Sequence, residues 1–162
     1  MSNPPQVFIC YAHLDKPFLD RLRMHLAPLE DEISVWSDQQ LEMGDRWDDE
    51  IKSTLRSVKA AILLVSPAFL ASKYIKNSEL PVLLHRAQQD GVKILPVILS
   101  PCLFNEAKFK FPDPKTGPEQ LSLSVFQAAN SLKDPMSKLP EHEQDALFLK
   151  LAQRVIQISN GD

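Results

Sequence analysis

Six consecutive apolar residues, Ala60 to Val65, leave little choice about how this chain folds. A run apolar at every position, and too short for a core helix, suits a strand covered on both faces, as at the centre of a parallel sheet. Ser66 and Pro67 follow at once. Serine caps a helix and proline fits its first turn, so the strand is predicted to pass straight into a helical turn through Phe69 and Leu70. Comparable alternation runs along the first two thirds of the sequence. Val7–Cys10 (VFIC) reads as a strand; Asp15 and Pro17 open a helix whose stripe is Phe18, Leu19, Leu22, Leu26 and Leu29. Ile33–Trp36 reads as a second strand, and Asp45 caps a helix with Trp47, Ile51, Leu55 and Val58 inward. Another helix starts near Ser78, carries Leu80, Leu83, Leu84 and Ala87 inward, and closes at Gly91. Val92–Leu99 is the fourth strand, and Pro96 within it argues for a place near the sheet edge. Strand–helix alternation predicts a flavodoxin-like, doubly wound parallel sheet of about five strands with helices on both faces. Ligands of such sheets bind beyond the carboxyl ends of the strands. Here that edge comprises Tyr11–Asp15, Ser37–Trp47, Ser66–Glu79 and Ser100–Phe104.

With 162 residues the chain suits one domain. Residues 1–6 are polar and read as a flexible N-terminus. Residues 105–140, interrupted by prolines, read as a loop-rich segment with a short strand or helix near Leu121–Ala129. Residues 141–158 read as a final helix, with Leu147, Phe148, Leu151, Val155 and Ile158 inward. The formal charge of −3, with no Lys/Arg stripe, argues against nucleic acid as a partner. Cys10 and Cys102 read as reduced thiols in or beside apolar runs. No signal peptide and no membrane span are evident, so a cytoplasmic location is expected.

Several chemistries are excluded by missing motifs. The glycines, Gly44, Gly91, Gly117 and Gly161, provide neither a GxGxxG turn nor a P-loop. His13, His25, His85 and His142 show no metal spacing, so no metal is expected. There is no GxSxG elbow. Receiver domains of the same architecture need an Asp at the end of strand three, where this chain has Leu64-Val65-Ser66.

What remains resembles a known family. VFICYAHLD (Val7 to Asp15) resembles the first box of TIR (Toll/interleukin-1 receptor-like) domains. Val35-Trp36-Ser37-Asp38, then Leu41-Glu42-Met43-Gly44 and Trp47, resemble their second strand and long BB loop. The stretch from Ser66 to Tyr74, followed by Glu79-Leu80-Pro81, resembles the αC region of bacterial members, and Ile94 to Cys102 their fourth strand. The resemblance implies one of two functions. Some members act only through TIR–TIR contacts, as adaptors and scaffolds. Others cleave or cyclise NAD with a glutamate of the αC region, here Glu79. The NAD-cleaving type, working as the effector of a bacterial anti-phage system and activated by self-assembly, is the leading expectation; a non-catalytic adaptor is the alternative. The resemblance makes NAD a substrate, not a cofactor. It also makes the 37–47 loop a contact with a neighbouring protomer, and it suggests a fused or separate sensor domain. One departure stands out: the commoner pattern places an aromatic four residues before the glutamate, whereas Tyr74 lies five before Glu79. A one-residue insertion at a loop or helix start restores the approach.

A single carboxylate suits this reaction. Nicotinamide in NAD is already cationic and leaves as a neutral base, so no general acid is required. The transition state resembles an oxocarbenium ion, whose charge a carboxylate stabilises. With Ser78 as N-cap, Glu79 falls in a first helical turn, where the dipole favours its charged form; the plainer reading is that it only complements that dipole. Tyr11 is a candidate to stack on a ligand ring, or is simply a half-buried strand-end residue. The backbone at Ala12 and His13 suits phosphate or ribose, with His13 itself read as a solvent-exposed loop residue. Asp38 and Glu42 flank the edge, or are ordinary loop polarity. Trp36 and Trp47 suit core or rim packing. Ser72 either hydrogen-bonds near Glu79 or caps its turn. A nucleoside deoxyribosyltransferase, which also sets a carboxylate against an N-glycosidic bond, is a third reading, because fold alone does not assign function.

Overall fold

The computed structural model describes residues 6–37, 53–113, 115 and 117–161. The start of the N-terminal segment and most of the 37–47 loop, including Asp38, Glu42 and Trp47, lie outside the described residues, as do Asp45 and Ile51.

The apolar run of 60–65 forms β3 (Ala60–Val65), with every residue buried. It lies between β1 (Val7–Cys10) and β4 (Lys93–Ile98), and β2 (Val35–Ser37) flanks β1. The described strands give a parallel sheet ordered β2-β1-β3-β4. This is the doubly wound architecture expected, with four parallel strands among the described residues where about five were predicted. Pro96 sits on the edge strand, as its missing N–H requires. The outer side of β4 there is covered by the later chain and not by a fifth strand. The Pro96 carbonyl accepts from the Ala129 N–H at 2.8 Å. The Asn130 side chain accepts from the Ile98 N–H at 2.9 Å and donates to the Ile98 carbonyl at 2.8 Å, so one amide stands in for a strand residue.

Alternation in β1 divides the core. Phe8, Cys10 and Ala12 join the layer containing Leu80, Leu83 and Leu84 of α3 (Leu80–Asp90). Val7, Ile9 and Tyr11 join the opposite layer, against α1 (Lys16–Leu26) and α4 (Glu141–Ser159). All five inward positions expected of the last helix are buried. Each fully buried Leu, Val, Ile or Phe contributes about 1.5–3 kcal/mol, so the two layers hold the sheet from both sides. Gly91, at φ 72°, closes α3 in the left-handed conformation its position requires.

Two elements differ from the sequence reading. The second strand is Val35–Ser37, shifted from the expected Ile33–Trp36. The segment read as loop-rich carries an antiparallel hairpin of β5 (Phe109–Asp113) and β6 (Gly117–Leu121). Phe109 and Phe111 alternate inward onto the α3 layer, while Pro112 and Pro118 face each other across the pair. Two-stranded pairing tolerates proline because each strand has a free edge.

Candidate functional site

In the order β2-β1-β3-β4, all strands run parallel, and the direction in which successive strands are added to the sheet reverses between β1 and β3. A crevice opens at that point because the two following segments leave on opposite faces of the sheet. A cleft of about 300 Å3 lies there. From the segment after β1 it is lined by Tyr11, Ala12, His13 and Leu14; from the segment after β3, by Ala68, Ser72, Tyr74, Ile75 and Glu79. Six residues singled out from sequence, Tyr11, Ala12, His13, Ser72, Tyr74 and Glu79, thus meet at one place.

The rim is tied together across the switch point. The Ser66 hydroxyl donates to the Asp15 carboxylate, and Ser66 Oγ accepts from the Phe69 N–H at 3.1 Å. Ser66 is therefore the cap of α2 (Pro67–Ala71), as its place before Pro67 implies. Asp15 stands at the head of α1 without a side-chain cap bond. Its carboxylate is directed at the other rim.

The lower wall is a π turn over Ile75–Glu79, which runs directly into α3. The Leu80 N–H bonds to the Ile75 carbonyl, five residues back. This corrects the expected local geometry. Ser78 is not an N-cap, and Glu79 does not lie in the first turn of a free-standing helix. Glu79 therefore does not sit at a free helix N-terminus, where a dipole would favour its charge or need its complement. Ser72 resolves to the capping alternative, since its Oγ accepts from the Ile75 N–H at 3.2 Å. The π turn also holds one residue more than an α turn, which is how Tyr74, five positions ahead, lines the same cleft as Glu79.

Glu79 is completely buried, an unusual state for a carboxylate. Such burial is costly unless the group is hydrogen-bonded. Its Oε1 accepts from the Cys10 thiol at 3.0 Å, across 69 positions of sequence. Tyr11 is 2% exposed and packs with the opposite layer, its ring edge-on to His13 at 5.8 Å. With so little surface showing, it offers no open ring face to stack on a ligand, and that expectation is set aside. His13 is exposed on the turn after β1. Trp36 is half-buried and donates its Nε1–H to Ser34 at 3.0 Å, a rim-packing role.

Sequence reasoning passed over Cys10 and Leu14. Cys10 reads as one more apolar residue in a strand. Leu14 gives a faint signal, a lone leucine in a polar turn, and is 84% exposed at the mouth of the cleft. Cys10 and Cys102 form no disulfide, and burial pushes the half-buried Cys102 thiol above its ordinary pKa. Among the described residues no group of three or more His, Cys, Asp or Glu side chains could hold a metal ion. No described helix is long and apolar enough to cross a membrane.

A parallel, doubly wound sheet with its cleft at the β1/β3 switch point defines an α/β domain of flavodoxin-like architecture. A family model for the TIR domain matches residues 7–127, and the chain belongs to that family. It is 29% identical over 107 residues to y4lF, an uncharacterized protein of Sinorhizobium fredii. That match takes in 65% of this chain but 33% of the relative, so the chain spans about a third of that protein's length. Among solved structures it is similar to the TIR domains of the activated Roq1 resistosome, which directly recognises the pathogen effector XopQ. The TM-score is 0.50 at 17% identity, over 98% of this chain and 85% of that one, and this likeness concerns the fold. It also resembles the TIR domain of the Toll-related receptor TRR-2 of Hydra magnipapillata, with a TM-score of 0.42 at 20% identity over 59% of this chain and 71% of that one.

Proposed function

We propose that this TIR domain cleaves NAD at the nicotinamide–ribose bond, with Glu79 as the catalytic carboxylate. The observation that carries the reading is the convergence of Glu79, Tyr74 and Ser72 with the strand-one turn in a single cleft at the sheet's switch point. A carboxylate at the floor of such a cleft meets the one demand of the reaction. It stabilises the positive charge that grows on the ribose as neutral nicotinamide departs, in surroundings where electrostatic effects are strong.

The cleft of about 300 Å3 lies at the lower end of ligand pockets, which run roughly 300–1,000 Å3. A dinucleotide needs more wall than the described residues supply. Self-assembly, with the 37–47 loop of one protomer meeting another, provides it in this reading, and Asp38, Glu42 and Trp47 belong to that contact. The product is ADP-ribose, linear or cyclised. In a longer protein, of the kind the Sinorhizobium relative represents, the module serves as the effector and another region as the sensor, which suits anti-phage defence in the cytoplasm.

The test is nicotinamide release from NAD by concentrated or artificially clustered protein. Glu79→Gln should lower the rate by about 10²–10³-fold, with near-ultraviolet circular dichroism unchanged. A second reading is an adaptor acting only by homotypic binding. The complete burial of Glu79 in the single protomer favours it. Clustered wild-type protein that releases no nicotinamide would establish the adaptor instead.

A further inference from the structure

We propose that Cys10 is a positioning residue for Glu79: its thiol donates to the carboxylate and fixes the orientation in which that group faces the cleft. The inference rests on the reading of Glu79 as the NAD-cleaving carboxylate, and it adds a residue which that reading does not use.

Four features carry it. The Sγ–Oε1 separation is 3.0 Å, and both residues are fully buried. Cys10 lies on the side of β1 that packs toward α3, together with Phe8 and Ala12, so the pleat aims it at the element bearing Glu79. The donor stands on a rigid support: Cys10 is the last residue of β1, in register with Leu63 of β3 in the middle of the sheet. The acceptor does not, because it is the last residue of a π turn and has three side-chain torsions to fix. A thiol is also a weak donor. It orients a carboxylate while withdrawing little of its negative charge, which stays available to a developing cation. A cation at position 10 would neutralise the charge that the reaction uses, whereas a neutral donor does not.

The contrast is between Cys10→Ala, which removes the donor, and Cys10→Ser, which keeps one. In clustered protein Cys10→Ala should lower kcat about tenfold with KM within about twofold, because an orienting bond acts on the chemical step and not on ground-state binding. Cys10→Ser should recover most of that loss. Equal kcat in Cys10→Ala and wild type overturns the proposal. So does failure of Cys10→Ser to recover activity when its melting temperature matches that of wild type, which would assign the effect to packing. Higher activity in Cys10→Ala also overturns it, since the contact would then restrain Glu79 in an unproductive position. A second arm does not depend on turnover. In a Cys102→Ser background the infrared S–H stretching band reports Cys10 alone, and Glu79→Gln should shift it. An unmoved band ends the proposal whatever the kinetics show. If clustered wild-type protein is inactive while the band does shift, the NAD reading fails and the contact stands.

Discussion

Asp145 and Glu79 are two carboxylates held in opposite ways. Glu79 is enclosed and meets a thiol. Asp145 is about half exposed on α4 and meets two side chains of α1. Arg21 Nη2 donates to its Oδ1 at 2.6 Å, and His25 Nε2 lies 3.1 Å from the same oxygen. Arg21 also donates to Gln144 and lies over the Phe148 ring, 5.5 Å from its centroid. Hydrogen bonding to His25 and then to Arg21 holds the Asp145 carboxyl below its ordinary pKa. The sign of the linkage follows. A carboxyl whose folded value is depressed stabilises the fold above its unfolded value, about 3.9, and loses that contribution as pH falls from there through the folded value. Wild type should therefore exceed Asp145→Asn in urea stability at neutral pH. The gap should narrow only below about pH 3.9 and should shrink in high salt, because the pair is exposed to solvent. A gap that is constant through the acid range would show that the two helices are joined by packing alone.

At the scale of elements, the stretch from Tyr74 to Leu80 is where sequence and structure part most instructively. The long, strongly patterned pieces were legible. Ala60–Val65 is strand from end to end, and the last helix follows its stripe of Leu147, Phe148, Leu151, Val155 and Ile158. In both, burial repeats with the period of the backbone. The π turn was not legible, because its i→i+5 bonds have no compositional signature and Asn77-Ser78 looks like an ordinary helix start. The hairpin was hidden by prolines at 112 and 118; the sequence shows an inhibition of strand pairing, and only the fold shows that it falls where no further neighbour is needed. The Cys10–Glu79 contact, 69 positions apart, follows from the order of strands and could not be read from either local segment. A π turn holding one extra residue makes a direct prediction. Deleting exposed Asn77 should close it to an α turn and leave the register of α3 intact. The variant should fold, with a denaturant midpoint equivalent to within about 1 kcal/mol of wild type, since no buried side chain is lost. It should also keep nicotinamide release within a few-fold, with Tyr74 four positions before Glu79. A deletion that unfolds the protein would mean the turn is imposed by the packing of Ile75 and Leu80, and not by an inserted residue.

At the scale of the whole molecule the cleft lies on the strand-tip edge, and among the described residues that line it Leu14 is 84% exposed at the mouth. An apolar side chain so placed is covered when another surface meets it, which agrees with a site finished by a second protomer. If the floor with Glu79 comes from one protomer and the missing wall from its neighbour, the two contributions are separable. Glu79→Gln destroys the floor of its own cleft and leaves its wall-donating surface untouched. Added to dilute wild-type protein, the inactive Glu79→Gln chain should therefore raise nicotinamide release per wild-type protomer. It supplies walls to clefts that wild-type neighbours were too scarce to complete. The stimulation should rise with added variant and then level off as every wild-type cleft gains a neighbour, and wild-type protein alone should show a specific activity that climbs with concentration. A cleft complete within one protomer behaves differently: specific activity is flat on dilution and the variant is without effect. A cleft that needs the glutamates of two protomers gives the reverse sign, since each mixed pair is then inactive and added variant inhibits. The direction of the change on mixing thus distinguishes a shared wall from a self-contained site and from a shared catalytic centre.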